Sequence, residues 1–414
     1  MAAIGTVVIY IIMACAIAGA IAAIRDNEKG LGKEFFEGIY SIGPIFVPVA
    51  GIMASIPYLS EVVRVAVGPA FAMIGADPAI AATTIIAADM GGYQLADVLA
   101  QSRDGWIMAL VVGFMAGATI IFSIPVGLAM LAKRDHKYMA LGIMSGVLSI
   151  PVGVFITCAL LAVSGLSVRP EIATSGDATH QIGLTLGVIL TNLLPLIIFC
   201  VAIALGLRFI PDAMIKGFLW FGKIMNAGIT LVLAFSIVEY FTGIFTTVFG
   251  SWGFAPIIAD ADDQFRALEI AGYIGIMLAG AFPMVYLITK YLAGPMEVLG
   301  ARIGLQPQGA AGLLAAMANI LAMFRLVGSM RPKDKVLTIA FAVCAAFMFG
   351  DHLAFTANFQ PTMILPVLLG KLGGGIAGFA LAVWLSVPKA QQLEAEERDL
   401  GGAKGRNIEA PAVA

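Results

Sequence analysis

Apolar runs long enough to cross a lipid bilayer recur along nearly the whole chain and constrain its fold more than any motif does. A crossing helix needs about 20 apolar residues. Clear runs of about this length lie at 2–24, 39–57, 106–131, 138–164, 182–207, 218–247, 266–289, 336–357 and 361–387, and two less regular runs at 78–100 and 309–326. The pattern predicts an all-α polytopic membrane protein with about 9–11 transmembrane helices, one or two of them re-entrant or broken.

Composition supports a membrane protein and excludes several other classes. The chain is 60% apolar and 12% charged, against about 45–50% and about 25% in soluble domains. Its formal net charge of −2 predicts no nucleic-acid partner. Four cysteines, Cys15, Cys158, Cys200 and Cys344, occur singly in apolar runs, which predicts no metal site, cofactor or disulfide.

Charged loops predict which helix ends share a side of the membrane. Short loops rich in Lys and Arg stay in the cytoplasm, and 25–34 and 133–137 are both basic, whereas the 250–263 loop is acidic and is expected outside. We predict a transmembrane transporter domain over 1–387. The polar segment 388–414 is then a cytoplasmic tail, disordered at least in part. The sequence leaves the oligomeric state open.

The run at 78–100 combines a carboxylate with a predicted helix break, since Asp89 is followed closely by Gly91 and Gly92. Because both basic loops favour the cytoplasm, the chain between them must cross the bilayer an even number of times, and two clear runs already do so. We therefore predict that 78–100 re-enters and turns back near Asp89. Such non-helical backbone is tolerated at membrane depth only where protein or a wet cavity surrounds it.

The run at 309–326 has basic residues on both flanks. A half-span that turns back and a true span with one external basic loop both fit this pattern.

A weak similarity between two segments of the chain suggests an internal duplication. "AGIMASIP" (50–57) resembles "AGLLAAMA" (311–318), and an aspartate follows each copy at a similar distance. The similarity favours pseudo-repeats around 38–130 and 305–387, a design common among secondary transporters.

A second intramembrane carboxylate, Asp351, lies late in its apolar run, between Gly350 and His352. An aspartate at mid-membrane costs about 2.5–3.5 kcal/mol on insertion scales. Asp89 and Asp351, each beside a break, are therefore candidates for cation recognition, because a carboxylate pairs strongly with an ammonium group where water is excluded. A purely structural role, in which each caps a helix end, is the competing interpretation.

Aromatic and amide side chains near these carboxylates complete the candidate site. Tyr93 and Phe355 each follow an aspartate by one helical turn and could add cation–π attraction. Asn319 and Asn192 are amides that could bond a substrate hydroxyl, although Asn192 is better explained as a partner for backbone near Pro195. His352 is either a proton-relay group or a neutral core histidine, and the second is the commoner case.

Two further charges lie inside apolar runs. Lys371 could snorkel to the interface, which we favour, or act as a counter-charge to the aspartates. Glu269 could face a vestibule or mark the membrane interface. Gly370, Gly374 and Gly378 near Lys371 predict a helix-packing seam.

Several long motifs resemble the bacterial ethanolamine utilisation transporter (EutH) family. They are "GADPAIAATTIIAADMGG" (75–92), "GATIIFSIPVGL" (117–128), "LGLRFIPDAMIKGF" (205–218), "RALEIAG" (266–272), "GDHLAF" (350–355) and "MILPVLLGKLGGG" (363–375). The resemblance extends over nearly the whole chain. It implies a multi-pass permease of the bacterial cell inner membrane that carries protonated ethanolamine, with no enzymatic activity. We carry Asp89 and Asp351 over as ammonium partners and Asn319 as a hydroxyl contact.

Two alternatives remain at this stage. One is an ion-coupled secondary transporter of another small cationic or zwitterionic metabolite, although a carboxylated substrate would need a deep arginine or helix N-termini. The other is an intramembrane aspartyl protease, whose Gly-x-Gly-Asp motif is incomplete at Met348-Phe349-Gly350-Asp351.

Overall fold

The computed structural model describes residues 2–406, with side chains from 3 to 397. Its α-helices, in chain order, are α1 Ala2–Arg25, α2 Gly30–Tyr40, α3 Ile42–Ala54, α4 Ile56–Ala66, α5 Gly68–Ile74, α6 Pro78–Ile85, α7 Gly92–Leu99, α8 Arg103–Val112, α9 Ile124–Met130, α10 His136–Val147, α11 Ile150–Ser164, α12 Leu186–Phe209, α13 Pro211–Thr242, α14 Ile244–Phe249, α15 Ala267–Arg302, α16 Pro307–Ala318, α17 Ile320–Val327, α18 Pro332–Ala345, α19 Asp351–Phe359, α20 Ile364–Leu385 and α21 Val387–Arg406. A π-helical segment, Gly113–Ser123, joins α8 to α9, and three short 3₁₀ turns span Ala88–Met90, Lys133–Asp135 and Pro361–Met363. The strands β1 Ser167–Val168 and β2 His180–Gln181 pair antiparallel, with Ser167 opposite Gln181.

Within the described residues, 8 helical segments are long and apolar enough to cross a membrane. They are Ala3–Arg25, Gly30–Ala54, Arg103–Met130, Lys133–Ser164, Leu186–Phe209, Pro211–Thr242, Ala267–Arg302 and Pro361–Leu385. The interrupted pair α18–α19 makes one more crossing. The predicted all-α polytopic fold is therefore confirmed.

The two ends of the molecule differ in charge. At one end, which we call the basic end, Lys335 Nζ lies 2.5 Å from Asp135 Oδ1, and Lys333 Nζ donates to Gly304 O over 3.2 Å. At the opposite end, the strand end, His180 Nε2 lies 2.9 Å from Asp104 Oδ1 close to β2. The chain runs between these ends in successive crossings. These contacts group the 133–137 loop with Lys333 and Lys335, which lie on one flank of 309–326.

The first hairpin, α6 and α7 (78–99), enters from the strand end and returns to it. Asp77 is the N-cap of α6, and its Oδ1 accepts from Ala79 N at 2.9 Å. Its Oδ2 accepts from Gln101 N at 2.9 Å, beyond the end of α7, so the entry and exit of the hairpin meet at one carboxylate. Pro at the first helical position and Asp at the N-cap are both favourable there. The predicted re-entrant segment is present.

The second hairpin, α16 and α17 (307–327), enters from the basic end. Gln306 N, just before α16, donates to Asp334 Oδ2 at 3.0 Å, and Asp334 lies in the first turn of α18. The chain turns back at Asn319, which has extended backbone and caps α17 by accepting from Leu321 N at 2.8 Å. Of the two arrangements open at 309–326, the structure has the half-span. The two hairpins thus enter from opposite ends.

The run at 336–357 is interrupted between α18 and α19, at the break expected beside Asp351. The unwound residues bond to the second hairpin: Phe347 N donates to Ala316 O at 3.1 Å, and Phe349 N donates to Met317 O at 2.9 Å. These tertiary bonds replace helical ones, which the hydrophobic pattern alone does not reveal. Phe347 has φ +60°, an uncommon value for a residue with a side chain.

The crossing formed by α8, the π-helical segment and α9 is the central one, since 94% of its apolar window is buried, against 17% for α1 and for α13. Its π-helical segment lies against the first hairpin. A Cβ at Gly117 would come within 2.3 Å of Ile86 O, so the unwound backbone of the hairpin requires glycine there. The α1 and α13 helices instead expose large apolar side chains, including Tyr10, Ile24, Trp220 and Phe241, as a lipid-facing surface does.

The predicted glycine seam is present in α20. A Cβ at Gly370 would lie 1.7 Å from Thr157 Oγ1 in α11, and one at Gly374 would lie 2.9 Å from Cys344 in α18. All four cysteines are buried and unpaired. The seam holds α11, α18 and α20 in direct backbone proximity.

Part of the predicted tail is helical. Residues 387–406 form α21, with Val387 and Ala390 buried. Glu397 anchors the helix to α10, 2.5 Å from Lys137 Nζ and 2.9 Å from Tyr138 Oη. The bond from Lys137 holds the pKa of Glu397 below its ordinary value. Residues 407–414 of the predicted tail lie outside the described part of the chain.

Candidate functional site

A cavity of about 400 Å³ lies where the tips of the two hairpins meet the start of α19. Four residues predicted from the sequence as substrate contacts line it: Asp89, Asn319, Asp351 and His352. They come from three separate elements, and the fold brings them together because the hairpins enter from opposite ends. Their roles toward a substrate stay a prediction.

Asp89 lies on the tip of the first hairpin, in the 3₁₀ turn Ala88–Met90. The turn ends at Gly91, whose φ of +93° is open to glycine at little strain. Gly92 N then donates to Ala87 O at 2.9 Å, which closes the tip. Asp89 Oδ1 is buried and has no hydrogen-bond partner among the described residues. The fold therefore holds a carboxylate oxygen at the cavity without satisfying it.

Asp351 and His352 begin α19, directly after Gly350. A carboxylate in the first turn of a helix is stabilised by the helix dipole. His352 Nε2 lies 3.8 Å from Asp89 Oδ1, too far for a hydrogen bond, and His352 Nδ1 is buried without a partner in the described chain. Asp351 interacts electrostatically with Asp89. Two carboxylates from different elements thus share one region.

Asn319 is the tip of the second hairpin. Its Oδ1 is occupied by Leu321 N, an N-cap bond that fixes the orientation of the amide. The amide nitrogen is left to donate elsewhere, and the residue lines the cavity. The lining therefore combines an amide donor with two carboxylates.

The cavity contains residues that the sequence analysis missed. Glu37 and Tyr40 in α2 line it and are exposed. Glu37 lies before the apolar run at 39–57, so the hydropathy pattern does not mark it as part of an intramembrane site. Phe347 and Phe122 also line the cavity, 5.9 Å apart between ring centroids. The positive φ of Phe347 is set by tertiary contacts and leaves no signal in the sequence.

The two predicted cation–π residues lie beside the cavity but do not line it. Tyr93 is fully buried, stacks on Trp106 at 4.5 Å, and its Oη accepts from Gln360 Nε2 at 2.8 Å. Phe355 packs edge-on against Tyr93 at 5.5 Å and is also fully buried. With Phe359, 4.6 Å from Phe355, they form an aromatic layer toward the strand end.

The remaining predicted polar residues have structural partners. Asn192 Oδ1 accepts from Asp77 N at 2.7 Å, at the entry of the first hairpin, and its Nδ2 donates to Val188 O at 3.1 Å, so the amide bonds to backbone at these two places and not at Pro195. Glu269 Oε2 accepts from Ala259 N at 3.0 Å and holds the acidic loop.

Lys371 does not snorkel. It is 1% exposed, and its Nζ donates to Phe114 O at 2.9 Å in the π-helical segment. The irregular helix provides a carbonyl oxygen for the ammonium, so burial replaces the expected route to the interface. Lys371 still interacts electrostatically with Asp89.

Two half-crossing hairpins that meet at a cavity lined by carboxylates define a multi-pass membrane transport protein. Comparison with known proteins then identifies its family. The model of "Ethanolamine utilisation protein, EutH" matches residues 4–385, and the chain belongs to that family. No solved structure matches it.

Relatives are similar over nearly their full length. A protein of Listeria monocytogenes serotype 1/2a named "Probable ethanolamine permease EutH" is 37% identical over 95% of this chain and 98% of its own. A protein of the same name from Escherichia coli K12 is 37% identical over 89% of each chain. "Uncharacterized protein YxeR" of Bacillus subtilis 168 is 34% identical over 94% and 97%. The family is one of permeases, so the hypothesis of an intramembrane aspartyl protease is wrong.

Proposed function

We propose that this protein carries protonated ethanolamine across the bacterial inner membrane, and that the cavity at the hairpin tips is its binding site. The observation that carries the proposal is the composition of the lining. It combines two carboxylates, Asp89 and Asp351, with a free amide donor on Asn319. The names of the relatives add the substrate.

The ammonium end of ethanolamine is placed between Asp89 and Asp351. An ammonium has donors and no acceptor, so it satisfies the unpartnered Oδ1 of Asp89. Charge-assisted bonds of this kind strengthen where water is excluded. None of the described residues that line the cavity is Lys or Arg. That lining disfavours zwitterionic metabolites, whose carboxylate would lack a partner.

The hydroxyl end is placed on Asn319. Its amide nitrogen donates to the hydroxyl oxygen while its Oδ1 stays on Leu321 N. The site therefore recognises both ends of a short amino alcohol from opposite hairpin tips. Ethylamine, which lacks the hydroxyl, would lose the second contact.

The exposed residues of α2 suggest the access route. Glu37 at the cavity mouth adds a third carboxylate, which raises the local concentration of cations. The aromatic layer of Tyr93, Phe355 and Phe359 separates the cavity from the strand end. If the basic end is cytoplasmic, as its Lys and Arg predict, this conformation faces the cytoplasm.

The direct test is uptake of labelled ethanolamine into proteoliposomes at acid pH, where little neutral amine leaks through lipid. We expect uptake by the wild type, and strong loss in Asp89→Asn and Asp351→Asn. Asp97→Asn is the matched control: Asp97 is on the same hairpin, but pairs with exposed Arg103 away from the cavity, and such surface pairs contribute little.

Each outcome is decisive. Wild-type levels in both cavity variants would show that the carboxylates only stabilise the tips. Equal loss in the Asp97→Asn control would show that the hairpin, and not its cavity charge, is what the substitutions disturb. Absence of uptake by the folded wild type would remove ethanolamine as the substrate.

A further inference from the structure

A basic groove lies at the basic end of the molecule and shares no lining residue with the cavity at the hairpin tips. Its volume is about 900 Å³. Six cationic side chains line it: Lys133, Arg134, Lys137, Arg208, Lys216 and Lys389. They come from the 3₁₀ turn before α10, from α10 itself, and from α12, α13 and α21. Among the described lining residues, Asp212 is the single carboxylate.

Most of this positive charge lacks a protein counter-charge. Lys137 is paired with Glu397, and Arg134 Nε lies 4.0 Å from Asp135. Within the described chain, Lys133, Arg208 and Lys216 have no ion-pair partner. Side chains that repel one another around one concave space are stabilised by a bound anion.

The floor of the groove is apolar, and it continues into a second groove of about 530 Å³. The two share Met144 and Arg208. The second groove runs along the outer surface of α12 and reaches Trp384 at the end of α20, whose side chain is 76% exposed. A polar head and a hydrocarbon chain would therefore have adjoining places at one membrane interface.

We propose that these joined grooves bind an anionic phospholipid, with its phosphate among the basic side chains and an acyl chain along α12. Basic pockets between transmembrane helices at this interface suit such headgroups, and each nearby Lys or Arg adds to the attraction. The apolar continuation at Arg208 distinguishes a lipid from a soluble anion. Because α21 contributes Lys389, lipid binding also links the tail helix to the transmembrane domain.

The test is native mass spectrometry of the full-length protein in detergent, titrated with phosphatidylglycerol or with phosphatidylcholine. We expect retained phosphatidylglycerol to exceed phosphatidylcholine by roughly tenfold or more, as several basic contacts imply. The triple variant Lys133→Gln/Arg208→Gln/Lys389→Gln is expected to lose that preference. The control Lys29→Gln/Lys290→Gln/Arg302→Gln removes three exposed cations elsewhere and is expected to keep it.

Competition separates a lipid from a soluble anion. Excess glycerol phosphate or inorganic phosphate should displace little phosphatidylglycerol, because neither fills the apolar groove. Full displacement by either, equal binding of phosphatidylcholine, or equal loss in the control variant would overturn the proposal. Where the triple variant does not purify as a monodisperse protein, Arg208→Gln alone, at the junction of both grooves, replaces it with the same expected direction.

Discussion

The two re-entrant hairpins solve the same structural problem with different chemistry at their tips. Each stops half-way across the membrane, and each is closed at its entry by an aspartate, Asp77 in the first and Asp334 in the second. The first tip carries a carboxylate, Asp89, on a glycine-dependent turn, whereas the second carries an amide, Asn319, on extended backbone. The comparison teaches that closure at the entry is shared, whereas the chemistry presented at the tip distinguishes the two hairpins.

Exchanging the tip side chains, Asp89 and Asn319, should have the largest effect on ethanolamine uptake. In Asp89→Asn/Asn319→Asp the total charge is unchanged, and the new carboxylate still caps Leu321 N. We expect uptake of ethanolamine to fall about 100-fold or more, as for Asp89→Asn alone, since breaking a buried charge pair costs about 3–5 kcal/mol. The measurement is the initial rate in proteoliposomes. Recovery to within about tenfold of wild type would mean that the tips are interchangeable.

Replacing Asp77 or Asp334, the aspartates at the entries of the two hairpins, should lower the free energy of unfolding by different amounts. Asp77→Ala leaves the backbone N–H groups of Ala79 and Gln101 without their acceptor, and each orphaned donor costs about 1–3 kcal/mol. Asp334→Ala leaves Gln306 N without one, and also breaks the pair with Arg331 at 3.0 Å. We expect about 3 kcal/mol of destabilisation for Asp77→Ala and about 2 kcal/mol for Asp334→Ala.

Thermal unfolding in detergent measures this difference. Asp77→Asn serves as the control, because its single carbonyl oxygen keeps one of the two bonds and should recover about half of the loss. A larger effect of Asp334→Ala would reverse our ranking of the two closures.

The turn of the first tip requires glycine, and the second does not. Gly91→Ala would place a Cβ 2.9 Å from Ile52 Cγ2 in a left-handed conformation, which costs roughly 1–2 kcal/mol in strain alone. We expect a lower unfolding temperature and reduced uptake. The control is Ala318→Gly, beside the second tip, where no positive φ is present. A neutral Gly91→Ala would show that the first tip rearranges freely.

The smallest effect is expected from Asn319→Ser. Serine also caps a helix, so the hairpin remains, but the amide donor is lost. One neutral hydrogen bond is worth about 1 kcal/mol, so the apparent affinity for ethanolamine should fall roughly five-fold. Inhibition of uptake by ethylamine should not change. A parallel loss for both amines would place Asn319 outside the substrate contact.

The sequence predicts the first hairpin well and the second only in part. Loop charges and the Asp89-Met90-Gly91-Gly92 turn are local features of the sequence, and together they predict the re-entrant segment. At 309–326 both flanks are basic, and a half-span could not be separated from a span. The half-span is fixed by the hydrogen bond from Gln306 N to Asp334 Oδ2, which joins two separate elements. The sequence of either element alone does not predict this bond.

Other features depend on tertiary contacts that no local pattern encodes. Gly350 indicates a break beside Asp351, but the unwinding of Phe347 and Phe349 depends on their bonds to the second hairpin. Lys371 is buried because Phe114 O in the π-helical segment accepts a hydrogen bond from its ammonium group.

The two similar sequence segments lie in different kinds of element. Residues 50–57 span the end of α3 and the start of α4, whereas residues 311–318 lie in α16 of the second hairpin. The pseudo-repeats around 38–130 and 305–387 stay a prediction.

The glycine seam in α20 has a mechanical consequence. A Cβ at Gly370 would lie 2.8 Å from Gly153 O in α11, and one at Gly378 would lie 2.6 Å from Ala340 O in α18, so the backbones of the three helices approach closely with little side-chain volume between them. We expect these three helices to move as one rigid body. Any alternation of access would then have its hinge outside this three-helix contact.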